Sequence, residues 1–377
     1  MLRGGQGFHR PVAGGERWHT RSPASNRVNV DRFVRRPVGR KGPVMIITAH
    51  AHARAGLVGN PSDGYFGKTI SCIVRNFRAT VRLWESPHFE ILPTHGDLAR
   101  FDTLDAFLRD VRLHGYYGGL RLMKATVKRF HDHADGNGRE LHHRNFTLGF
   151  DSDIPRLVGL SGSSAIVVAT LRALMRFYDY EVPLQRQPEL ALSVERDELG
   201  ITAGLQDRVV QTYEGLVYMD FDRSLVEGRG YGEYLPMRPA AMPPLYIAYD
   251  PERAEISDVP HRNLRELYKR GDETVVSAML RYRELTDRGR AALMSGDWEE
   301  LGRVMNENFD LRRTIMPIAP ENLRMVEAAR ATGASAKFAG SGGAIVGLYR
   351  DGRQYQQLTD AMAALRCPVV RPIVFEP

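Results

Sequence analysis

The sequence predicts an α+β protein in which two layers of strands and helices pack side by side. Three observations carry this. Strand-like runs rich in β-branched and aromatic residues stand beside stretches of helical spacing in both halves of the chain. A Gly/Ser-rich loop opens an apolar helix within the first half. A proline-dense segment without helical periodicity, Arg238-Pro239-Ala240-Ala241-Met242-Pro243-Pro244, divides the halves. The expected organisation is a basic arm over residues 1–44, an N-terminal domain over 45–238 and a C-terminal domain over 239–377.

The arm contains Gly4-Gly5, Gly14-Gly15 and scattered Arg with no sustained period, and little apolar surface to offset the entropy of ordering. It is expected to be disordered, to be an Arg-rich transit-like segment, or to precede a translation start at Met45, the reading we favour. It has no apolar signal-peptide core, which argues against secretion. Strands are expected at 45–55, 69–84 and 145–150, and helices over Leu104–Val111 and Gly119–Phe130. Residues 163–178 are apolar nearly all round, which predicts a buried helix, with Pro183 as its stop. Pro188 opens a helix through Leu199 with Gly200 as its cap. A further helix from about Ala203 leads into a strand over Leu216-Val217-Tyr218-Met219. Beyond the boundary, Leu245–Tyr249 reads as a strand and roughly 260–333 as helix, broken near Gly296 and Pro317–Pro320. The end reverts to strands around 336–349 and 368–375.

Composition narrows the function class. At 377 residues, 43% apolar and 26% charged, the chain resembles an ordinary globular protein with room for two cores. The net charge of +7 is uneven: residues 1–44 hold nine Arg and one Lys against Glu16 and Asp31, net +8, so the remainder is about −1. A near-neutral body argues against a nucleic-acid-binding face there. Cys72 and Cys367 are too few for a disulfide framework, so a reducing, cytoplasmic location is expected. No apolar run reaches the roughly 18 residues of a membrane span.

The most informative stretch is Val158-Gly159-Leu160-Ser161-Gly162-Ser163-Ser164-Ala165, followed by Ile166-Val167-Val168-Ala169. Small residues let the backbone turn tightly and approach a ligand, and the free amides and positive end of the following helix favour an oxyanion. There is no lysine, so it is not the common GxxxxGK[ST] loop. Ser163 or Ser164 would supply a hydroxyl for a phosphate-bound Mg2+. Two further glycine-rich motifs flank it. Arg54 to Gly67, reading RAGLVGNPSDGYFG, leads a strand into a turn stabilised by Asx side chains and Pro. Ala336 to Leu348, reading AKFAGSGGAIVGL, is a Gly/Ser hairpin between two strands.

The order and spacing of these motifs resemble the GHMP kinase superfamily (galacto-, homoserine, mevalonate and phosphomevalonate kinases). Within it the chain looks most like the glucuronokinase group, through RAGLVGNPSDGYFGKTIS, GYYGGLRL, IPRLVGLSGSSAIV, ELGITAGLQDRVVQ, GLVYMDF, NENFDLRR and AKFAGSGGAIV. The resemblance spans roughly residues 45–350 and leaves the arm without a counterpart. The loop reads GLSGSS where GLGSS or GLSSS is common in the superfamily, which marks the subgroup.

The resemblance implies a two-domain GHMP kinase fold with a ferredoxin-like C-terminal α+β domain, and an ATP-dependent phosphotransferase. Gly159, Leu160, Ser161, Gly162, Ser163, Ser164 and Ala165 would hold ATP. Ser163, Ser164 and Glu195 would hold Mg2+, a hard cation that prefers oxygen ligands. Asp207 would be the catalytic carboxylate, with Arg54 beside it. Asn60, Ser62 and Asp63 would contact the sugar, and the hairpin would pack against the phosphate loop. A carboxylate of ordinary pKa, about 3.9, is a feeble base for a sugar hydroxyl. In a loose phosphoryl-transfer transition state the proton moves late, so orientation and charge matter more. On the residues alone, Glu195 reads as a solvated helix carboxylate beside Arg196.

The reaction this implies is phosphorylation of the anomeric hydroxyl of D-glucuronate to glucuronate 1-phosphate. Alternatives are another sugar kinase of the fold, acting on galacturonate, a neutral hexose or a heptose phosphate, and a catalytically silent sugar or nucleotide sensor. Arg121, Lys68, Arg208, Arg312 and Arg313 are all candidates for the substrate carboxylate. His131-Asp132-His133-Ala134-Asp135 with His142-His143 has metal-like spacing but reads as a solvated Gly/Asn-rich loop. The partners expected are small molecules, with no nucleic acid and no membrane.

Overall fold

Two long strands dominate the architecture, β1 (Ile46–Val58) and β2 (Lys68–Glu85), joined by a turn that contains one short 3-10 segment (Ser62–Tyr65). The computed structural model describes residues 45–94, 118–252 and 258–376, the side chains of 258–262 excepted. The expectations for the arm and for a helix over Leu104–Val111 lie outside the described residues. The chain continues through β3 (Glu90–Ile91), α1 (Gly119–Gly136), β4 (Phe146–Ser152), α2 (Gly162–Tyr178), α3 (Gln187–Ser193), α4 (Gln206–Tyr213) and β5 (Leu216–Asp220). Next come α5 (Arg223–Arg229), β6 (Glu233–Met237), β7 (Leu245–Tyr249), α6 (Asp258–Lys269), α7 (Glu273–Ser295), α8 (Trp298–Ile315) and α9 (Pro320–Ala331). The chain ends through β8 (Lys337–Phe338), β9 (Ala344–Leu348), α10 (Gly352–Ala364) and β10 (Val369–Val370).

The first sheet is organised around β2. One of its edges pairs antiparallel with β1 along nearly its whole length. Its other edge is shared, β4 pairing with residues 79–85 and β5 with residues 68–72, while β6 extends β5 and β3 runs parallel to β4. The second sheet has the order β10-β7-β9-β8, antiparallel throughout. Strands of the first sheet end at Met237 and those of the second begin at Leu245, so the proline-rich segment joins them.

Burial along β1 shows how the fold makes a site. From Ile47 to Ala51 buried and half-buried residues alternate, the period of a strand with one wet face. From Ala53 to Val58 every residue is buried, because α2 covers one face and elements of the C-terminal half cover the other. The helix α2 is buried nearly all round, as its composition predicts, and lies on β1 and β2. A large apolar cluster, from Ile47 to Val374, runs under both sheets. Each fully buried Leu or Val in it contributes about 1.5–3 kcal/mol.

Differences from the sequence reading have local causes. The predicted Pro188–Leu199 helix becomes α3 followed by one wider π-type turn (Val194–Glu198), and Gly200 takes the left-handed backbone expected of a stop. The helix expected from Ala203 begins at Gln206. The segment expected as strand over 368–375 keeps only Val369–Val370 in the sheet. The helix α5 buries none of its residues, so it has no apolar stripe to detect; Asp222 caps it through Ser224 N and Gly230 ends it. In α10 only Gln354, Leu358 and Met362 are buried, a stripe too narrow to stand out. His131, Asp132 and His133 are in the last turns of α1, not in a loop, and Asp132 pairs with Lys128.

Candidate active site

The Gly/Ser loop does what its composition suggests at the start of α2. Gly159 has φ +74° and Ser161 φ +63°, and the first helical bond runs from Ala165 N to Ser161 O at 3.1 Å. The amides of Gly162, Ser163 and Ser164 therefore precede the helical ladder and face outward from its positive end. A side chain at Gly159 would come within 2.6 Å of Gly342 O, and one at Gly340 would collide with Gly159 O. Glycine at these positions lets the hairpin lie against the loop backbone, as the resemblance implied. Leu160 O accepts Arg54 N at 3.1 Å, which ties the loop to β1. Ser163 is half-buried; Ser164 is buried and donates its hydroxyl to Ser161 O at 3.2 Å. Ala165 is fully buried under the loop.

Ser161 is at the N-cap position of α2, yet its hydroxyl does not cap the helix. It donates to Asp207 Oδ2 at 2.8 Å. Asp207 stands in the first turn of α4, and Arg54, from the buried end of β1, donates Nε to its Oδ1 at 2.8 Å and pairs with it again through Nη2. The remaining Arg54 nitrogen, Nη1, donates to Gly159 O at 3.1 Å and Ala339 O at 2.8 Å. One guanidinium thus joins the carboxylate, the Gly/Ser loop and the hairpin. Burial pushes the Asp207 pKa upward, but the charges of Arg54 and Arg208 outweigh it and hold the carboxyl below the usual range.

Arg208, next in sequence, points to a second carboxylate. Its Nε donates to Glu195 Oε2 at 3.0 Å, its Nη2 contacts the same oxygen, and its Nη1 donates to Gly204 O at 2.8 Å while lying 3.4 Å from Asp207 Oδ2. The exposed-carboxylate reading of Glu195 is corrected: the π-type turn carries it inward, its side chain is 2% exposed, and Arg196 pairs with Asp197 instead. Asp207 keeps 20% of its side chain exposed and is the more open of the two.

Asp63, on the short turn after β1, meets the start of α4. Its Oδ2 accepts the backbone N–H of Gln206 at 3.2 Å, and it packs so closely on Gly204 that any side chain there would collide with it. Shielding from water, and then the charge of Asp207, raise its pKa to about 6. Asn60 and Ser62 are occupied within the fold. Asn60 Oδ1 accepts Lys337 Nζ at 2.6 Å, its backbone oxygen accepts Asn308 Nδ2 at 3.1 Å, and Ser62 Oγ donates to Lys68 O at 3.0 Å.

Lys337 is a functional-region residue for which the sequence reading gave no role. It is buried in β8 and donates to Gly56 O, Asn60 Oδ1 and Phe338 O at 2.6–2.8 Å. Burial, with the positive charges of Arg312 and Arg54, holds its pKa well below the usual lysine value. A lysine between alanine and phenylalanine in a strand is the signal that marks it. The cations proposed for a substrate carboxylate are dispersed. Lys68 pairs with Asp287 at 2.8 Å and Arg208 with Glu195. Arg312 donates to Gly340 O and Ser341 O at 2.9 and 3.0 Å, Arg121 is exposed and donates to Leu199 O, and Arg313 is exposed at the end of α8.

A two-domain α+β fold with a Gly/Ser loop at a helix start, an Arg-held aspartate beside it and a glycine hairpin against it defines a class. The family models GHMP kinases N terminal domain and GHMP kinases C terminal match residues 121–215 and 290–365. With the relatives that follow, this shows that the chain belongs to the GHMP kinases, phosphotransferases that pass phosphate from ATP to an alcohol group. Glucuronokinase 1 of Arabidopsis thaliana is 41% identical over 337 residues, covering 88% of this chain and 92% of that protein. Probable glucuronokinase 2 of the same plant is 42% identical over 332 residues, covering 86% and 90%. A galactokinase of Lactococcus lactis complexed with galactose has a TM-score of 0.70 at 16% identity, over 87% of this chain and 93% of that one, a likeness of fold.

Proposed function

We propose that this chain transfers the γ-phosphate of ATP to the anomeric hydroxyl of D-glucuronate, yielding D-glucuronate 1-phosphate and ADP. The observation that carries this reading is the joint one: Asp207, Arg54 and the phosphate loop are bonded to one another in a chain that is 41% identical to a glucuronokinase over 88% of its length. The anomeric oxygen bonds to the γ-phosphorus as the bond to the β,γ-bridging oxygen breaks. The hydroxyl proton passes to Asp207.

The residues present suit the nucleotide. Three amides of α2 precede its ladder, and a side chain built on Gly162 would approach only Ile154, no nearer than 3.5 Å, so the loop leaves room for phosphate oxygens. Bound Mg2+ supplies charge neutralisation on the triphosphate. Ser163 and Glu195 would hold it, both being oxygen donors, Glu195 through Oε1, which Arg208 does not engage; Ser164 is less suited, its hydroxyl buried on Ser161 O. Arg54 keeps Asp207 ionised and aimed, so Asp207 acts chiefly by orienting the hydroxyl and by its charge, with proton transfer late. Asp63 is assigned to sugar hydroxyls, and Asn60 and Ser62 to holding the turn that presents it. The domain boundary is placed in the 238–244 linker. A cytoplasmic location is also proposed, supported by two buried, unpaired cysteines.

The test is ADP release with Mg-ATP across glucuronate, galacturonate, glucose, galactose and mevalonate. Glucuronate should turn over fastest. Preference for another sugar keeps the mechanism and overturns the substrate; ATP binding without turnover on any acceptor favours a sensor.

A further inference from the structure

Gln206 begins α4, one residue before Asp207, and is 3% exposed. Its backbone N–H is given to Asp63. Its side chain runs to the meeting point of the motifs. The amide nitrogen is 2.8 Å from where a Cβ on Gly56 would stand, and the same point lies 3.1 Å from Ala339 O and 3.2 Å from Asn60 Cγ. Ala339 O, near the same point, accepts Arg54 Nη1, and Arg54 holds Asp207, the residue that follows Gln206. Its side-chain oxygen is buried and has no hydrogen-bond partner.

A buried amide oxygen that has left water without a replacement donor is costly, and native proteins retain few of them. This one belongs to the residue just before Asp207, and the amide that carries it lies beside Gly56 of the first glycine motif. A neutral carbonyl oxygen is complementary to a hydroxyl; it has nothing to offer a phosphate or a carboxylate, which bring no proton. We infer that Gln206 is a specificity-determining residue whose side-chain oxygen accepts a hydrogen bond from a ring hydroxyl of the sugar. The inference rests on the sugar-kinase reading above and adds a recognition residue to it. A site built to pair with a substrate hydroxyl discriminates strongly against the analogue that lacks it.

The experiment pairs Gln206→Met, which keeps the shape and removes the acceptor, with the 2-, 3- and 4-deoxy derivatives of glucuronate. In the natural protein one deoxygenation should lower kcat/KM about 10- to 100-fold. Gln206→Met should lower kcat/KM for glucuronate by a similar factor, abolish the penalty at that one position, leave the KM for ATP unchanged, and not lower Tm, since it removes an unpaired buried acceptor. Gln206→Glu, which keeps an acceptor oxygen, should retain the positional preference and guards against misfolding of the Met variant. Equal penalties at all three positions in the natural protein and both variants would overturn the role of Gln206 alone. A natural protein that phosphorylates no sugar would overturn the reading beneath it before any variant was made.

Discussion

Arg54 sets both the position and the charge of Asp207, since its guanidinium donates to the carboxylate while its third nitrogen is anchored on Gly159 O and Ala339 O. On the proposed mechanism Asp207→Asn keeps the shape and loses the charge. Turnover should fall about 10²- to 10⁴-fold while ATP binding, followed by calorimetric titration, survives; near-normal ADP release would remove Asp207 from the mechanism. Asp63 titrates in the opposite sense. Its folded pKa of about 6 lies above the ordinary 3.8, so between those values the folded chain binds more protons than the unfolded one. Stability from this group is therefore lost as pH rises from about 4 to 6, and the full cost persists above. Asp63→Asn should raise stability at pH 8 by up to about 3 kcal/mol, and by less at pH 5. A Tm gain that is the same at both pH values would contradict this assignment of charge.

At the scale of elements, the site depends on three backbone segments approaching more closely than side chains allow. Gly56 N donates to Ala339 O at 2.8 Å, Arg54 N to Leu160 O at 3.1 Å, and the hairpin crosses the loop at Gly159 and Gly340. Gly159→Ala would hold an L-residue in the left-handed region and press its Cβ on Gly342 O. We expect a loss of about 1–3 kcal/mol in stability and a rise in the KM for ATP larger than that for the sugar. Unchanged Tm and unchanged KM for ATP would show that the loop and hairpin need not interlock. The buried Glu195–Arg208 pair couples the π-type turn to α4 in the same region. Removing one member of such a pair leaves the other charge unpaired, so Arg54 and Arg208 are each needed by the carboxylate they hold, Asp207 and Glu195.

For the whole molecule, the apolar cluster that runs under both sheets joins the halves into the unit that contains the site. The sheet begins at Ile46, paired with Trp84, and all the side chains of the proposed mechanism lie within residues 54–339. A chain beginning at Met45 should therefore keep its Tm and its ADP-release rate. A loss of either would assign residues 1–44 a part in folding or activity.

The sequence by itself determined the Gly/Ser loop, the buried helix behind it and the long strands, because these depend on local properties, glycine at tight turns and apolar periodicity; the resemblance of motif order along the chain drew attention to Asp207 and Arg54. Even so, α5 and α10 escaped it for want of an apolar stripe. What only the tertiary structure decided is which charges meet. Glu195 and Arg196 are neighbours in sequence, yet Glu195 pairs with Arg208, thirteen residues on. Lys337 reaches Asn60 across 277 positions, and Gln206 buries an unpartnered oxygen while its amide nitrogen lies beside Gly56, in a distant part of the chain. Pairing and burial of this kind follow from how strands and helices stack, and desolvation then sets the strength of every charge at the site.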